Sequence, residues 1–127
     1  MYCLDTNILI DLFRGEKEVI SKISYLDNSE IFITPVTLCE LFKGINLSSK
    51  KDKEIEEIRG LINFFRVLDF NLDIAEEFGR QYVRLSKAGK MIPEFDILIA
   101  SFVKVNNLTL ITKDKHFENL GVRAEVW

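Results

Sequence analysis

Two acidic residues each follow a short apolar run of the sequence, where a charge is costly to bury. Asp5 comes directly after YCL at 2–4, and Asp114 comes two residues after LTLIT at 108–112. Such runs are typical of buried strands, and ligands bind at the carboxyl ends of the strands in a parallel sheet. We therefore expect both carboxylates at the same edge of a sheet.

Two more acidic residues fall in the early turns of helices that the only two prolines open. Pro35 precedes Glu40 by five residues and Pro93 precedes Asp96 by three, and the amino-terminal end of a helix tolerates anions. Asp96 shares a helix face with apolar residues such as Ile99. A buried carboxylate is costly without a partner, so Asp96 points to a ligand more strongly than Glu40 does.

Each acid also has an ordinary structural interpretation. Asp5 and Asp114 are candidate helix caps or turn residues. Glu40 could be a solvated side chain, and Asp96 could pair with a buried arginine. Taken together, however, four carboxylates at one edge repel one another, and a hard divalent cation with oxygen ligands is the simplest compensation. The sequence therefore predicts an Mg²⁺ site in which Mn²⁺ can substitute.

Short apolar strands alternate with amphipathic helices along the chain. We predict strands at 2–4, 31–34, near 67–68, at 108–112 and in the closing VRAEVW, with the last at a sheet edge. We predict helices at 6–13, from Pro35, over 55–65, over 74–85 and from Pro93, and a loop around 48–51. This order predicts an α/β protein, a single domain over 1–127 whose mostly parallel central sheet is flanked by helices.

Composition limits the class of protein. A chain of 127 residues with 47% hydrophobic content can bury one globular core. No apolar run approaches the roughly 18 residues of a membrane span, and the first residues lack a secretory pattern, so we expect a soluble, cytoplasmic protein. Cys3 and Cys39 have no CxxC spacing, and we expect both to be buried thiols.

Four segments of the chain resemble the four motif regions of PIN-domain ribonucleases. They are LDTNILIDL, TPVTLCELFKG, IPEFDILIAS and LTLITKDKHFENL, and the short layout is similar to that of VapC-type toxins of toxin–antitoxin pairs. The resemblance covers nearly the whole chain. It implies a PIN-like nuclease domain in which the Thr112 hydroxyl helps to order the site. The catalytic residues and metal ligands that it implies are Asp5, Glu40, Asp96 and Asp114.

The same resemblance implies a reaction and partners. The reaction is endonucleolytic cleavage of structured RNA by a metal-activated water, with 5′-phosphate and 3′-hydroxyl products; the partners are a cognate antitoxin and a second copy of the chain. His116 is the only histidine and has no partner for metal-free acid–base catalysis, so we expect it to pack beside Phe117. We expect Asn7, Asp11 and Arg14 to form an exposed polar face with an Asp11–Arg14 pair.

The net charge of −3 disfavours a sequence-blind nucleic-acid binder, because such proteins are usually basic. Four of the 20 acidic residues are proposed metal ligands, and without them 16 acidic residues face 17 basic ones. Lys113 and Lys115 flank Asp114, and Lys43 lies one turn beyond Glu40. All three lysines are candidate RNA phosphate contacts, with ordinary solvated surface as the alternative.

Two other functions stay open at this point. A phosphoaspartyl phosphatase would use Asp5 as its nucleophile, but the position of the second acid in its pattern DxDxT holds Asn7. A phosphoacceptor domain would instead need an acidic pair after the first strand and an acceptor aspartate after a central strand. A non-catalytic interaction module would keep the PIN fold without its chemistry, and the four intact acids disfavour it.

Overall fold

The computed structural model of the protein describes residues 1–127 and contains one five-stranded sheet and six α-helices. The strands are β1 (Tyr2–Leu4), β2 (Ile31–Ile33), β3 (Arg66–Val67), β4 (Thr109–Thr112) and β5 (Arg123–Val126). The helices are α1 (Thr6–Phe13), α2 (Lys17–Ser24), α3 (Pro35–Asn46), α4 (Lys51–Ile62), α5 (Leu72–Lys87) and α6 (Glu94–Val105). Short 3₁₀ helices span Asn28–Glu30 and Lys115–Leu120.

The sheet has the order β3-β2-β1-β4-β5, and every neighbouring pair is parallel. The chain runs outward from β1 through β2 to β3, and then returns to the other side of β1 to add β4 and β5. The direction of strand addition therefore reverses between β1 and β4. In open parallel sheets such a switch point leaves a crevice at the carboxyl ends of the two strands.

Alternate residues of the central strands divide the core into two layers. Cys3 of β1 and Leu110 of β4 face the layer that α5 and α6 cover. Leu4 and Ile111, their neighbours in sequence, face the layer formed with α1 to α4. All four side chains are fully buried. The predicted α/β fold, a parallel sheet flanked by helices, is confirmed.

Most element bounds agree with the sequence predictions, and the differences have local causes. The predicted loop around 48–51 is a turn at 47–50, and α4 ends at Ile62, before the buried Phe65. Helix α6 begins at Glu94 because Pro93 has an extended conformation and is the N-cap. None of the six helices combines the length and the apolar character that crossing a membrane requires.

Two features of the fold are not predicted correctly. Helix α2 is missed, because only Val19 and Ile23 on it are buried and the rest of its surface is polar or exposed. Cys3 is buried as expected, but the expectation is wrong for Cys39, which is exposed. Cys39 lies on the outer side of α3, whereas Leu41, two residues later in the same helix, faces the core.

Candidate active site

Asp5 lies at the switch point, at the carboxyl end of β1, and is 3% exposed. Its Oδ1 accepts a hydrogen bond from the backbone N–H of Thr6 at 2.8 Å, and its Oδ2 accepts one from Thr112 Oγ1 at 2.6 Å. Asp5 is thus also the N-cap of α1. Burial raises the pKa of Asp5; the two hydrogen bonds oppose this rise, and the charges of Asp96 and Asp114 add to it.

Asp114 is connected to Asp5 through Thr112. The fully buried Thr112 Oγ1 accepts the backbone N–H of Asp114 at 3.0 Å while donating to Asp5. Asn7 Nδ2 donates to Asp114 Oδ2 at 3.4 Å. Asn7 is exposed as expected, but it also touches a candidate site residue, which the sequence interpretation missed.

Asp96, in the first turn of α6, has a histidine as its partner. His116 Nε2 lies 3.2 Å from Asp96 Oδ2, so the buried arginine considered above is not present. Burial raises the pKa of Asp96, the nearby His116 opposes the rise, and the charges of Glu40 and Asp114 add to it. His116 stacks on Phe117 with the ring centroids 4.8 Å apart. The expected packing is confirmed, and the contact with Asp96 is an additional finding.

Glu40 lies in the second turn of α3 and is half-buried rather than fully solvated. Its Oε1 accepts a hydrogen bond from Thr6 Oγ1 at 2.6 Å. Thr6 was not predicted to contact a site residue, although it directly follows Asp5 and opens α1. The contact joins residues 34 positions apart, and no local pattern reveals such a pair.

The lysines near the site differ in their surroundings. Lys113 forms an ion pair with Asp11, so the predicted Asp11–Arg14 pair is wrong. The cause is the packing of α1 against β4, which brings the half-buried Asp11 to the end of that strand. Lys43 and Lys115 are exposed and form no ion pair.

The acids at this edge fit a divalent cation only if the cation keeps several of its waters. No three Asp, Glu, His or Cys side chains form a group that could hold a metal ion by themselves, so a closed cage of the structural zinc type is absent. Mg²⁺ usually binds one or two carboxylates and keeps several waters. The carboxylates at this edge lie within electrostatic reach of one another, and neither Asp5 nor Asp96 forms an ion pair with a lysine or arginine. This arrangement fits such a hydrated ion.

A comparison with known families decides where this chain belongs. The family model described as the PIN domain matches residues 2–122. The chain belongs to the PIN domain family. The family that the sequence motifs suggested is thereby confirmed.

Relatives of this PIN domain are similar over almost their whole length. Ribonuclease VapC2 of Haemophilus influenzae is 31% identical over 129 residues, which cover 99% of this chain and 97% of that protein. The tRNA(fMet)-specific endonuclease VapC of Shigella flexneri is 28% identical, with the same coverage. A crystal structure of VapBC2 from Rickettsia felis, bound to a DNA fragment from its promoter, matches with a TM-score of 0.93 and 27% identity over 99% of this chain and 98% of that chain.

Proposed function

We propose that this PIN domain is an Mg²⁺- or Mn²⁺-dependent endoribonuclease and the toxin of a VapBC-type toxin–antitoxin pair. One observation carries the proposal: the carboxylates of the buried Asp5 and the half-buried Asp96 lie near other acids, and neither pairs with a lysine or arginine. Uncompensated negative charge at a switch point is what a bound cation would neutralise. The ribonuclease and endonuclease names of the relatives support RNA as the substrate.

Each candidate residue has a defined part in this proposal. The residues that would hold the ion, one or two of them directly and the others through its waters, are Asp5, Glu40, Asp96 and Asp114. When bound, the ion would supply charge stabilisation at a phosphate oxygen and would lower the pKa of the attacking water. Thr112 keeps Asp5 and Asp114 at a constant spacing, because one hydroxyl contacts both residues. The unpaired cations Lys43 and Lys115 are available to contact RNA phosphates.

The proposed substrate is a structured RNA. The Shigella flexneri relative is named for a single tRNA, and proteins read such RNAs by shape and by exposed bases in loops. Cleavage of a restricted set of RNAs is therefore expected, rather than degradation of every strand.

The proposed protein partner is an antitoxin that covers the acids. A groove of about 300 Å³ has Glu40 in its wall, together with apolar residues of three helices that include Leu41 and Ile58. An amphipathic helix could lay its apolar side chains there and extend a lysine or arginine to the carboxylates. The VapBC complex from Rickettsia felis supports such a partner. We also propose that the chain forms a homodimer, which light scattering of the purified protein tests.

A larger side chain in the groove tests whether the antitoxin binds there. A Cβ added at Gly44 meets no atom within 4 Å, so Gly44→Gln should fold normally and obstruct the groove that Gly44 lines. We expect this variant to lose binding to the proposed cognate antitoxin. Gly79→Gln is the matched control, since Gly79 is also in a helix with open space around it. Equal binding by both variants would contradict the proposed groove.

Cleavage assays test the nuclease. Purified protein with total RNA and Mg²⁺ should cut a few species to 5′-phosphate and 3′-hydroxyl ends, and EDTA should stop the cutting. Cleavage that survives EDTA and leaves 2′,3′-cyclic phosphates would instead assign acid–base chemistry to the His116–Asp96 pair. An acid-stable, base-labile phosphate on Asp5 would support the phosphatase alternative. If the protein neither cleaved RNA nor bound Mn²⁺, the remaining function would be that of the non-catalytic interaction module.

A further inference from the structure

Three buried threonines form a chain of hydroxyl contacts that ends on Glu40. Thr34 is the N-cap of α3, Thr37 lies in the first turn of α3, and Thr6 opens α1. Their exposed fractions are 0%, 0% and 7%. The oxygen distances are 3.2 Å from Thr34 to Thr37, 3.4 Å from Thr37 to Thr6, and 2.6 Å from Thr6 to Glu40 Oε1.

The chemistry of the groups sets one direction for all the donors. A carboxylate only accepts hydrogen bonds, and a hydroxyl has a single proton. Thr6 therefore donates its single hydroxyl proton to Glu40. The hydroxyl of Thr6 can then only accept from Thr37, and the hydroxyl of Thr37 can only accept from Thr34. Hydrogen bonds in such a chain polarise one another, and burial strengthens each of them. The 3.4 Å contact is the longest of the three and hence the weakest.

The far end of the chain is anchored to the backbone. Thr34 Oγ1 accepts the backbone N–H of Thr37 at 3.0 Å, which is an ordinary helix cap. This cap uses the hydroxyl of Thr34 and not the hydroxyl of Thr37. A valine at 37 would fill the same volume without burying a polar group. The capping of α3 therefore gives no reason for a hydroxyl at position 37.

We propose that Thr37 is a positioning residue that acts on Glu40 through Thr6. The chain holds Oε1 of Glu40 in one place, while Oε2 receives no hydrogen bond from the protein and is left to face a ligand. Groups that orient a ligating carboxylate commonly change metal affinity or activity 10- to 100-fold when they are removed. The effect on metal and RNA rests on the proposed function, whereas the effect on the Glu40 side chain does not.

The test compares Thr37→Val, which removes the hydroxyl, with Thr37→Ser, which keeps it. The first measurement is the ¹³C resonance of the Glu40 carboxyl carbon in metal-free protein, assigned with Glu40→Gln. We expect Thr37→Val to shift and broaden this resonance and Thr37→Ser to restore it. Ser101→Ala is the matched control, because it removes a buried hydroxyl bonded only to Ile97 O; it should leave the resonance unchanged. Thr34→Val is unsuitable, since it removes the cap.

The second measurement is the affinity for Mn²⁺ by calorimetry, together with kcat and KM for RNA. Thr37→Val should weaken Mn²⁺ binding and lower kcat roughly 10-fold, the low end of the 10- to 100-fold range because Thr37 acts through Thr6, with little change in KM, and Thr37→Ser should recover most of the loss. An unmoved Glu40 resonance in Thr37→Val, or an equal change in Thr37→Ser, overturns the inference. A moved resonance in a protein that neither binds Mn²⁺ nor cuts RNA upholds the positioning of Glu40 and overturns the proposed function.

Discussion

Two acids on neighbouring helices of this PIN domain have opposite electrostatic surroundings. Glu77 of α5 is 6% exposed, and its carboxylate accepts hydrogen bonds from Gln81 at 2.8 Å and Arg80 at 2.9 Å and pairs with Lys104 at 2.7 Å. Burial alone would raise the pKa of Glu77, but these partners outweigh it and lower the pKa to about 2. Burial raises the pKa of Asp96, and its one partner does not outweigh that effect.

The difference shows that burial alone does not mark a functional acid. Helix α6 carries Asp96 in its first turn and Lys104 in its last. Lys104 supplies a cation to Glu77, as Arg80 of α5 also does, whereas no lysine or arginine pairs with Asp96. A carboxylate whose charge is compensated within the chain stabilises the fold. A buried carboxylate that lacks such compensation costs stability and attracts an external cation, as functional sites often do.

The largest expected effect belongs to Asp96→Asn. The substitution removes one charge of the acidic edge but keeps the size of the side chain. RNA cleavage should fall by about 100-fold or more if the acid holds the metal, while the metal-free protein should gain about 1 kcal/mol of stability because a partly buried charge is removed and repulsion from Glu40 and Asp114 falls. Melting curves in EDTA and in excess Mg²⁺, with exposed Asp69→Asn as the control, measure both changes. A variant that melts lower in EDTA and still cuts RNA would make Asp96 a structural residue.

Glu77→Gln should act in the opposite way. It leaves Lys104 and Arg80 without their carboxylate, and since both cations are about half exposed or more, we expect a loss of about 2 kcal/mol rather than the full cost of a buried pair. Urea unfolding at neutral pH measures the loss, with Glu76→Gln as the control because its contact with Arg80 is 3.9 Å long. Cleavage by the folded variant should be unchanged. If Glu77→Gln were as stable as the wild type, Glu77 would not stabilise the fold, and the proposed contrast between Glu77 and Asp96 would be wrong.

The two acids should also give opposite pH dependences. The folded pKa of Glu77 is about 2 against an ordinary 4.5, so its contribution is complete above 4.5 and is lost as the pH falls toward 2. The folded pKa values of Asp5 and Asp96 lie above their ordinary 3.8, so metal-free stability should decrease as the pH rises from 3.8 through those folded values. Unfolding free energies between pH 2 and 7 should show that Glu77→Gln flattens the loss of stability at acid pH and that Asp96→Asn flattens the decrease in stability as the pH rises above 3.8.

The smallest effects concern the free cations beside the site. The cations near Glu77 contact their acid, whereas Lys43 and Lys115 are exposed without an ion pair. Each change to Gln should reduce cleavage about 2- to 5-fold and weaken its dependence on salt, as the loss of one phosphate contact does. Arg59→Gln is the control, because Arg59 is exposed near the end of α4, where the chain turns toward the start of β3. If Arg59→Gln had an equal effect, the two lysines would act only through the overall charge of the protein and would not contact RNA phosphates.

Local patterns were sufficient for those parts of the site that depend on one element. The apolar runs before Asp5 and Asp114 predict strands, and parallel strands end at a common edge, so both acids were placed correctly relative to the sheet. Pro35 opens α3 as predicted. Helix α2 escaped prediction because Val19 and Ile23 are its only buried residues, and two apolar positions on a short helix make a weak pattern. The metal-ligand and catalytic roles of the four acids stay predictions.

The sequence by itself determined the order of the strands and of every α-helix except α2, the edge where the acids lie and the family, because periodicity and motif spacing are properties of a few neighbouring residues. Only the tertiary structure decided the partner of each side chain. Thr6 meets Glu40, His116 meets Asp96 and Lys113 meets Asp11 across 34, 20 and 102 positions of the chain. Such contacts depend on how whole helices pack on the sheet, and that same packing pairs Glu77 with Lys104 and leaves Asp5 and Asp96 without a cation from lysine or arginine.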